Sequence, residues 1–346
     1  MALCYNHFYM LTFLSGLLAV LLWVPFGLAG WLGYGIDALR QPDLKIKEPG
    51  IVYSVKQAES LGLSATSSFV NIIDELNPKN IRIIAYWDRI EKSSRSYDFS
   101  ELDYLMDKIR AKGARATLVV GSKVPRWPEC HEPVWWRDKD AEERFSGQQS
   151  YLEAIVRHYA GSPVLEYWQV ENELFFKFGD CPKPSAEHFR QELELVRSLD
   201  PQHPIIMTSS GEMSAWLRPF WHGDAVGVSL YRQAIFKTKW FSLRMSYPLP
   251  PLFYGYKAKA MSWLFKKPLM ITELQLEPWF SIDLLSVPVA EQTKVLPLEK
   301  FKDVIKYAGQ TRISRIYFWG VEWWYWMRQQ GNPQYWDYVR QNVFDF

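Results

Sequence analysis

The sequence lacks the motifs of several common enzyme classes. It has no G-x-G-x-x-G or G-x-x-x-x-G-K-[ST] loop to hold a phosphate. Its six histidines show no H-x-H or H-E-x-x-H spacing, and its three cysteines include no C-x-x-C pair. No G-x-S-x-G elbow of a serine hydrolase is present. We therefore expect neither a metal nor a cofactor.

Net charge is also nearly absent. Lys plus Arg number 40 and Asp plus Glu number 38, which leaves no excess of basic residues for a nucleic acid. Hydrophobic residues make up 48% of the chain, so disorder throughout is excluded. Aromatic residues reach 16%, including 17 Trp. This share is consistent with an aromatic-rich core, a membrane-facing surface or a site for a flat-faced ligand. If it marks a ligand site, the lack of basic excess favours a carbohydrate over a nucleobase.

Residues 1–36 contain no Asp, Glu, Lys or Arg, and residues 8–36 are almost entirely apolar. This run exceeds the roughly 20 residues needed to cross a bilayer. It predicts a retained membrane anchor or a signal segment over 1–36, with a buried soluble helix as the alternative. Lys and Arg residues follow the segment and none precedes it, which favours a cytoplasmic body. A carbohydrate substrate favours the opposite side. We expect a membrane-anchored or secreted protein with an extracytoplasmic body.

After a linker over residues 37–50, the body (51–346) alternates short apolar runs with amphipathic stretches. The predicted strands are Ile51–Val55, Asn80–Tyr86, Ala114–Val120, Val164–Val170, Pro204–Thr208, Ala225–Leu230, Leu269–Thr272 and Ile313–Trp319. The predicted helices are Phe99–Lys112, Gln149–Tyr159, Ala186–Leu199 and Leu298–Ala308. This α/β alternation predicts a monomeric (β/α)8 TIM barrel. The competing fold is an open, doubly wound sheet. It is expected to carry a glycine-rich phosphate-binding loop, and the sequence has no such motif.

Two glutamates end two apolar strands of the predicted barrel. Glu171-Asn172-Glu173 closes the fourth strand, and Glu273 closes the seventh. Active sites of such barrels lie at the carboxyl ends of the strands. A buried carboxylate is costly unless it is paired or used. Two carboxyl groups facing one cleft meet the requirement for glycoside hydrolysis, in which one is protonated and the other ionised.

Asn172-Glu173 and Ile271-Thr272-Glu273 resemble the motifs of the retaining (β/α)8 glycoside hydrolases of clan A, which include cellulases and β-galactosidases. The resemblance extends over about residues 51–345. It implies that Glu173 is the general acid/base and Glu273 the nucleophile. It also implies that Asn172 binds the sugar 2-hydroxyl. The two carboxylates of a retaining enzyme lie roughly 5–5.5 Å apart.

Three further residues match the clan in order along the chain. The resemblance implies that Arg82 on the second strand steadies the nucleophile. It implies that Tyr231, after the sixth strand, donates a hydrogen bond to it, and that Trp319, ending the eighth, forms the floor of the sugar subsite. Cellulases carry a histidine two residues before this tyrosine, where this chain has Ser229. Membership of the cellulase family itself is therefore not expected.

Other candidates are weighed on chemistry alone. Trp127 and Trp323 lie in loops after the third and eighth strands and could stack on sugar rings, or pack on the rim. Glu212, after the fifth strand, could bind a sugar hydroxyl. Cys130 and Cys181 would lie in consecutive loops of the barrel, either as a disulfide or as two thiols.

The leading interpretation is a retaining β-glycoside hydrolase that acts on an oligo- or polysaccharide through a covalent glycosyl-enzyme. A second hypothesis is a carbohydrate-binding barrel without turnover, since fold does not imply function. A third is a transglycosylase that uses the same glutamate pair. The presence of both glutamates with Arg82 and Tyr231 argues against the second.

Overall fold

The computed structural model describes residues 25–37, 45–176, 178–182, 185–237, 242–280 and 282–345. Residues 1–24 of the predicted anchor or signal segment lie outside the described residues, as do residues 38–44 of the predicted linker. Residues 25–37 form a helix, α1. Within the described ranges, no helix has both the length and the apolar character needed to cross a membrane.

Eight parallel strands close into a barrel in the order β1-β12-β11-β8-β7-β6-β5-β2. The barrel strands are β1 (Glu48–Tyr53), β2 (Asn80–Ile84), β5 (Arg115–Val120), β6 (Leu165–Val170), β7 (Ile205–Ser210), β8 (Ala225–Leu230), β11 (Leu269–Gln275) and β12 (Arg315–Trp319). Two hairpins lie outside the barrel and comprise β3 (Glu91–Ser93) with β4 (Ser96–Tyr97), and β9 (Gln233–Lys237) with β10 (Ser242–Ser246). The predicted (β/α)8 barrel is confirmed.

Helices surround the barrel. After α1 they are α2 (Val55–Ser60), α3 (Ala65–Leu76), α4 (Trp87–Ile90), α5 (Ser100–Ala111), α6 (Ala141–Tyr159), α7 (Ala186–Leu199), α8 (Leu217–His222), α9 (Pro251–Phe265), α10 (Val289–Val295), α11 (Leu298–Gln310), α12 (Val321–Gln329) and α13 (Gln334–Val339). Serine side chains cap α2, α3 and α7 by accepting a backbone N–H. In α3, α5, α7 and α11 the buried residues recur at the 3.6-residue period of an amphipathic helix.

The predicted boundaries differ from the observed ones in two informative places. β1 begins at Glu48, inside the predicted linker, because its first residues pair with β12. β11 continues to Gln275, so Glu273 lies within the strand and not after it. The register of β11 shifts against both neighbours near Glu273, an irregularity that places this residue at the mouth of the barrel.

Candidate active site

The two glutamates come from nearby strands of the closed sheet. Glu173 follows β6, Glu273 lies in β11, and β7 and β8 stand between these strands. The two carboxylates are close enough for the charge of Glu273 to raise the pKa of Glu173. The barrel therefore brings the predicted pair to one site at the carboxyl ends of its strands.

Glu273 is buried and held by two donors. Nη1 of Arg82 lies 2.8 Å from Oε1, and the Tyr231 hydroxyl donates to Oε2 over 2.9 Å. The guanidinium balances the charge of the carboxylate inside the barrel. Burial, together with the charge of Glu273, raises the pKa of Tyr231 well above its usual value, so this hydroxyl stays a donor.

Arg82 is fully buried and forms the centre of a polar network. Its Nε donates to Oε1 of Gln169 over 2.8 Å, and its Nη2 donates to Oδ1 of Asn172 over 3.2 Å. Gln169 and Thr208 also donate to this Asn172 oxygen. The amide of Asn172 is thus fixed in one orientation, with its Nδ2 directed elsewhere. Gln169 and Thr208 were not anticipated, because a polar residue inside an apolar strand carries no motif.

Glu173 has a different environment from Glu273. Its backbone is left-handed (φ 43°), and its N–H donates to Oγ1 of Thr208 over 2.9 Å. Its carboxylate accepts one hydrogen bond, of 2.7 Å, from Ser229 on β8. Burial, followed by the charge of Glu273, raises the pKa of Glu173 to about 7, whereas the Ser229 bond lowers it. A carboxyl group with this pKa can hold a proton near neutral pH and can also release it.

We expect Ser229→Ala to raise the pKa of Glu173, because the serine hydrogen bond favours the ionised form. Activity that needs protonated Glu173 should then persist to higher pH. The measurement is the alkaline limb of the pH profile of kcat/KM. Ser229→Thr keeps the hydroxyl and serves as the control, with an unchanged limb. An identical limb in the alanine variant would contradict a role for Ser229 in tuning this acid.

Two other residues hold the turn that carries Glu173. Glu171, also left-handed (φ 61°), accepts the backbone N–H groups of Ser122 and Lys123, each over 2.7 Å. Lys123 is buried, and its Nζ donates to the carbonyls of Asn172 and Glu173. The loops after β5 and β6 are thereby tied together. Backbone strain at Glu171 and Glu173 fits a turn fixed by tertiary contacts.

The loop after β5 contributes Arg126, whose guanidinium lies 3.9 Å from the centre of the Trp319 ring. Arg126 also pairs with the buried carboxylates of Glu277 and Glu322. Trp319 donates its Nε1 to Glu277 over 2.8 Å. The structure therefore brings Trp319 to the mouth, but one face of its ring is covered by Arg126.

Glu212 lies beside Tyr231, the residue that donates to Glu273. It accepts the backbone N–H of Tyr231 over 3.1 Å and the hydroxyl of Tyr254 over 3.2 Å. Burial raises its pKa to about 8. These contacts position Tyr231, a role that differs from the sugar contact predicted for Glu212.

Glu129 is a residue of the site that the sequence did not single out. It is buried in the loop after β5 and accepts a hydrogen bond of 3.2 Å from Nδ2 of Asn172. Burial raises its pKa to about 8, and the charge of Glu273 adds to the effect. Gly179 packs closely on it, since a Cβ there would lie 2.5 Å from the Glu129 Cβ. The one signal in the sequence for Glu129 is its position next to Cys130.

Cys130 and Cys181 form a disulfide with their Cα atoms 5.3 Å apart. The bond joins the loop that carries Arg126 and Glu129 to the loop after β6. The sequence left open whether these cysteines form a disulfide or remain two free thiols. The structure contains the disulfide. Both loops are consequently fixed against each other at the mouth.

Aromatic side chains continue outward from the pair. Trp279 lies 6.1 Å from Tyr231 and 6.1 Å from Phe178, and Phe178 lies 6.3 Å from Trp127, centre to centre. Trp127 is exposed. We call Trp127, Phe178 and Trp279 the aromatic rim. Phe178 and Trp279 were not predicted as part of the site.

Trp323 does not belong to the site. It is fully buried in α12, donates to Oε1 of Gln292 over 2.7 Å and packs on Tyr335 of α13. The prediction that Trp323 lines a sugar subsite is wrong in this structure. An aromatic run after a strand gives no indication of which side chains face the mouth, and here a helix turns this one inward.

Comparison with known proteins points to glycosidases. A glycoside hydrolase family 42 model, described as beta-galactosidase, matches residues 68–198, a part that contains Glu173 but not Glu273. Beta-galactosidase BbgII of Bifidobacterium bifidum is 26% identical over 104 residues, which cover 25% of this chain and 15% of that protein. The chain resembles the clan A glycoside hydrolases. These matches support a glycosidase.

Solved structures share the fold at low identity. A beta-galactosidase from Bacillus circulans sp. alkalophilus superposes with a TM-score of 0.52 at 14% identity, over 80% of this chain and 50% of that one. The exo-beta-1,4-mannosidase Op5Man5 from Opitutaceae bacterium strain TAV5 gives 0.54 at 15%, over 78% and 51%. GH5_18 from Streptomyces cattleya, in complex with GlcNAc, gives 0.52 at 14%, over 80% and 71%. The chain spans about half the length of the first two proteins.

In the part of the chain that the structure describes, no group of three or more His, Cys, Asp or Glu residues is arranged to hold a metal ion. The described residues bring carboxyl, guanidinium and hydroxyl groups together at the mouth. Paired carboxyl groups in unlike environments can transfer a proton and attack an electrophilic carbon.

Proposed function

We propose that this chain is a retaining β-glycoside hydrolase that acts on an oligo- or polysaccharide. The observation that carries this proposal is the contrast between the two glutamates. Glu273 accepts hydrogen bonds from a guanidinium and a phenol hydroxyl. Among the described residues, Glu173 accepts one from a serine hydroxyl, and burial raises its pKa to about 7. Such a contrast suits an ionised nucleophile beside a protonated acid. We expect their carboxylates to lie roughly 5–5.5 Å apart.

In the first step, the Glu273 carboxylate attacks the anomeric carbon of the bound sugar. The glycosidic C–O bond breaks as the proton of Glu173 passes to the leaving oxygen. A covalent glycosyl-Glu273 ester forms, and the configuration of the carbon inverts. Because the ester is neutral, Arg82 loses the negative charge of its partner. Hydrolysis of the ester restores this charge and is favoured for that reason.

In the second step, Glu173 is ionised and takes a proton from a water molecule. The hydroxide equivalent attacks the anomeric carbon, the bond to Glu273 breaks, and Glu173 regains its proton. Two inversions give net retention. Burial raises the pKa of Glu173, and the charge of Glu273 raises it further. The second effect disappears in the ester, so Glu173 loses its proton more readily in the second half of the cycle than in the first.

A substrate longer than one sugar is supported by the aromatic rim. Trp127, Phe178 and Trp279 extend from Tyr231 toward solvent, and aromatic faces cover the apolar faces of sugar rings. The similar proteins are named for different sugars, including galactose and mannose. Sugar identity therefore does not carry over from them.

An extracytoplasmic location is part of the proposal. The Cys130–Cys181 disulfide supports it, because such bonds persist in oxidising compartments. The charge-free segment over residues 1–36 supports attachment to a membrane or export.

The test is a panel of aryl β-glycosides and polysaccharides, followed by proton NMR of the first-formed sugar. We expect turnover of at least one substrate with the β-anomer appearing first, before mutarotation. An α-anomer as first product would contradict retention. Binding without any turnover across the panel would favour the carbohydrate-binding barrel, and products longer than the substrate would favour the transglycosylase.

A further inference from the structure

The outer side of α9 differs from that of α7, a typical barrel helix. α7 exposes charged residues such as Glu187, Arg190 and Glu194, as expected for a solvated face. α9 instead exposes Trp263, at 71% of its surface, and Leu264, at 61%. Single exposed apolar residues are normal, whereas neighbouring large ones indicate a contact surface.

Two neighbouring helices extend this surface. Trp221 at the end of α8 is 75% exposed and packs edge-on against Phe265 at the end of α9, with ring centres 6.4 Å apart. On the other side, α1 packs on α9 through Gly30 and Gly33. A Cβ at Gly30 would lie 2.9 Å from the backbone of Phe253, so the helices approach closely.

The side of α1 away from these glycines is apolar. Leu28, Trp31, Leu32 and Ile36 are all more than half exposed, at the spacing of one helix face. We call the exposed apolar side chains of α1, with Trp221 of α8 and Trp263 and Leu264 of α9, the outer apolar face. It lies along the side of the barrel, away from the catalytic pair.

Positive charge accompanies this face. The segment between Asp224 and Glu273 has no Asp or Glu and carries eight Lys or Arg residues, although the whole chain is balanced at +2. Lys259 is exposed and lies four residues before Trp263, on the same side of α9. Lys266 is also exposed and directly follows the helix, where its backbone is left-handed (φ 57°). The ammonium of Lys266 lies 5.2 Å from the Trp263 ring centre.

We propose that the outer apolar face lies on the surface of an anionic lipid bilayer. Tryptophan is favoured at the boundary of headgroups and acyl chains, and lysine extends its ammonium group to the headgroups. Protein interfaces are depleted in lysine, which disfavours a protein partner for this combination. The segment that leads into α1 is itself free of charge. The barrel then rests on its side, and the mouth stays open to a polysaccharide.

The test measures acylation of lysines in the full chain, reconstituted with vesicles of phosphatidylcholine alone or with phosphatidylglycerol added. A membrane-impermeant amine reagent is used, and mass spectrometry gives the rate at each lysine. Lys92 and Lys294, with side chains 69% and 70% exposed, serve as internal references. With vesicles that contain phosphatidylglycerol, Lys259 and Lys266 should react at least about fivefold more slowly than the reference lysines. With vesicles of phosphatidylcholine alone, this difference in rate should be smaller.

The variant Trp263→Ser with Leu264→Ser should restore fast labelling of Lys259 and Lys266. The matched control, Ile282→Ser with Leu285→Ser, removes exposed apolar side chains elsewhere and should keep the protection. Equal rates at all four lysines in anionic vesicles would overturn the proposal. Protection that is independent of lipid charge and grows with protein concentration would overturn it in favour of a second copy of this chain.

Discussion

Replacing Glu273 with Gln is expected to lower kcat by several orders of magnitude, because an amide cannot attack the anomeric carbon. Sugar binding should persist, since the aromatic rim is unchanged. Turnover on the best substrate of the panel and binding by calorimetry are the two measurements. A barrel that only binds carbohydrate would show no turnover in the wild type or in the variant, and the two proteins would bind sugar equally well.

The glutamine also leaves Arg82 without an ionised partner inside the barrel, which costs about 3–5 kcal/mol of stability in buried pairs. Glu273→Asp is the matched control, since it keeps the charge but withdraws the carboxylate from the sugar. We expect it to retain most of the thermal stability and still lose most of the turnover. A wild-type rate in both variants would show that Glu273 is not the nucleophile.

Replacing Glu173 with Ala should have a different signature. Substrates with a good leaving group need little protonation, so their first step should survive and the glycosyl-enzyme should accumulate. Azide needs no general base and should attack the ester, restoring turnover and giving a β-glycosyl azide. Mass spectrometry of the intact protein and NMR of the product are the measurements.

Glu171→Ala provides the matched control for this experiment. Glu171 lies in the same turn, and burial raises its pKa to about 7 as well, but its carboxylate holds the backbone of Ser122 and Lys123. Its loss should lower activity by disturbing the turn, and azide should give no rescue. Azide rescue in Glu171→Ala but not in Glu173→Ala would reverse the assigned roles.

The barrel and both glutamates could be predicted because the relevant strands are buried on both sides. Such strands are rich in apolar residues, so the polar residues that follow them stand out, as Glu171-Asn172-Glu173 does after β6 and Glu273 does after the apolar start of β11. α9 was not predicted as a helix because its apolar residues are distributed around the whole helix and show no 3.6-residue period. Packing of α9 against its neighbours, and not a periodic pattern of apolar residues in its sequence, determines that this segment is a helix.

The remainder of the site depends on tertiary contacts. Glu129 reaches Asn172 only because the disulfide and the close packing of Gly179 fix its loop. Trp323 has the residue type of a subsite but is turned inward by α12. No local sequence motif indicates that Glu129 lies in the site or that Trp323 lies outside it. The spacing of residues therefore could not predict either position.

The network around Arg82 has a consequence for folding. Its bond to Glu273 joins residues 191 positions apart, and its bond to Asn172 spans 90. Contacts of such separation carry a large loop-closure cost and form late. A half-barrel that contains β2 but lacks β11 would enclose a guanidinium without its carboxylate, a species disfavoured by several kcal/mol. The buried ion pair between Arg82 and Glu273, proposed above for catalysis, would therefore also disfavour incomplete assembly of the strands.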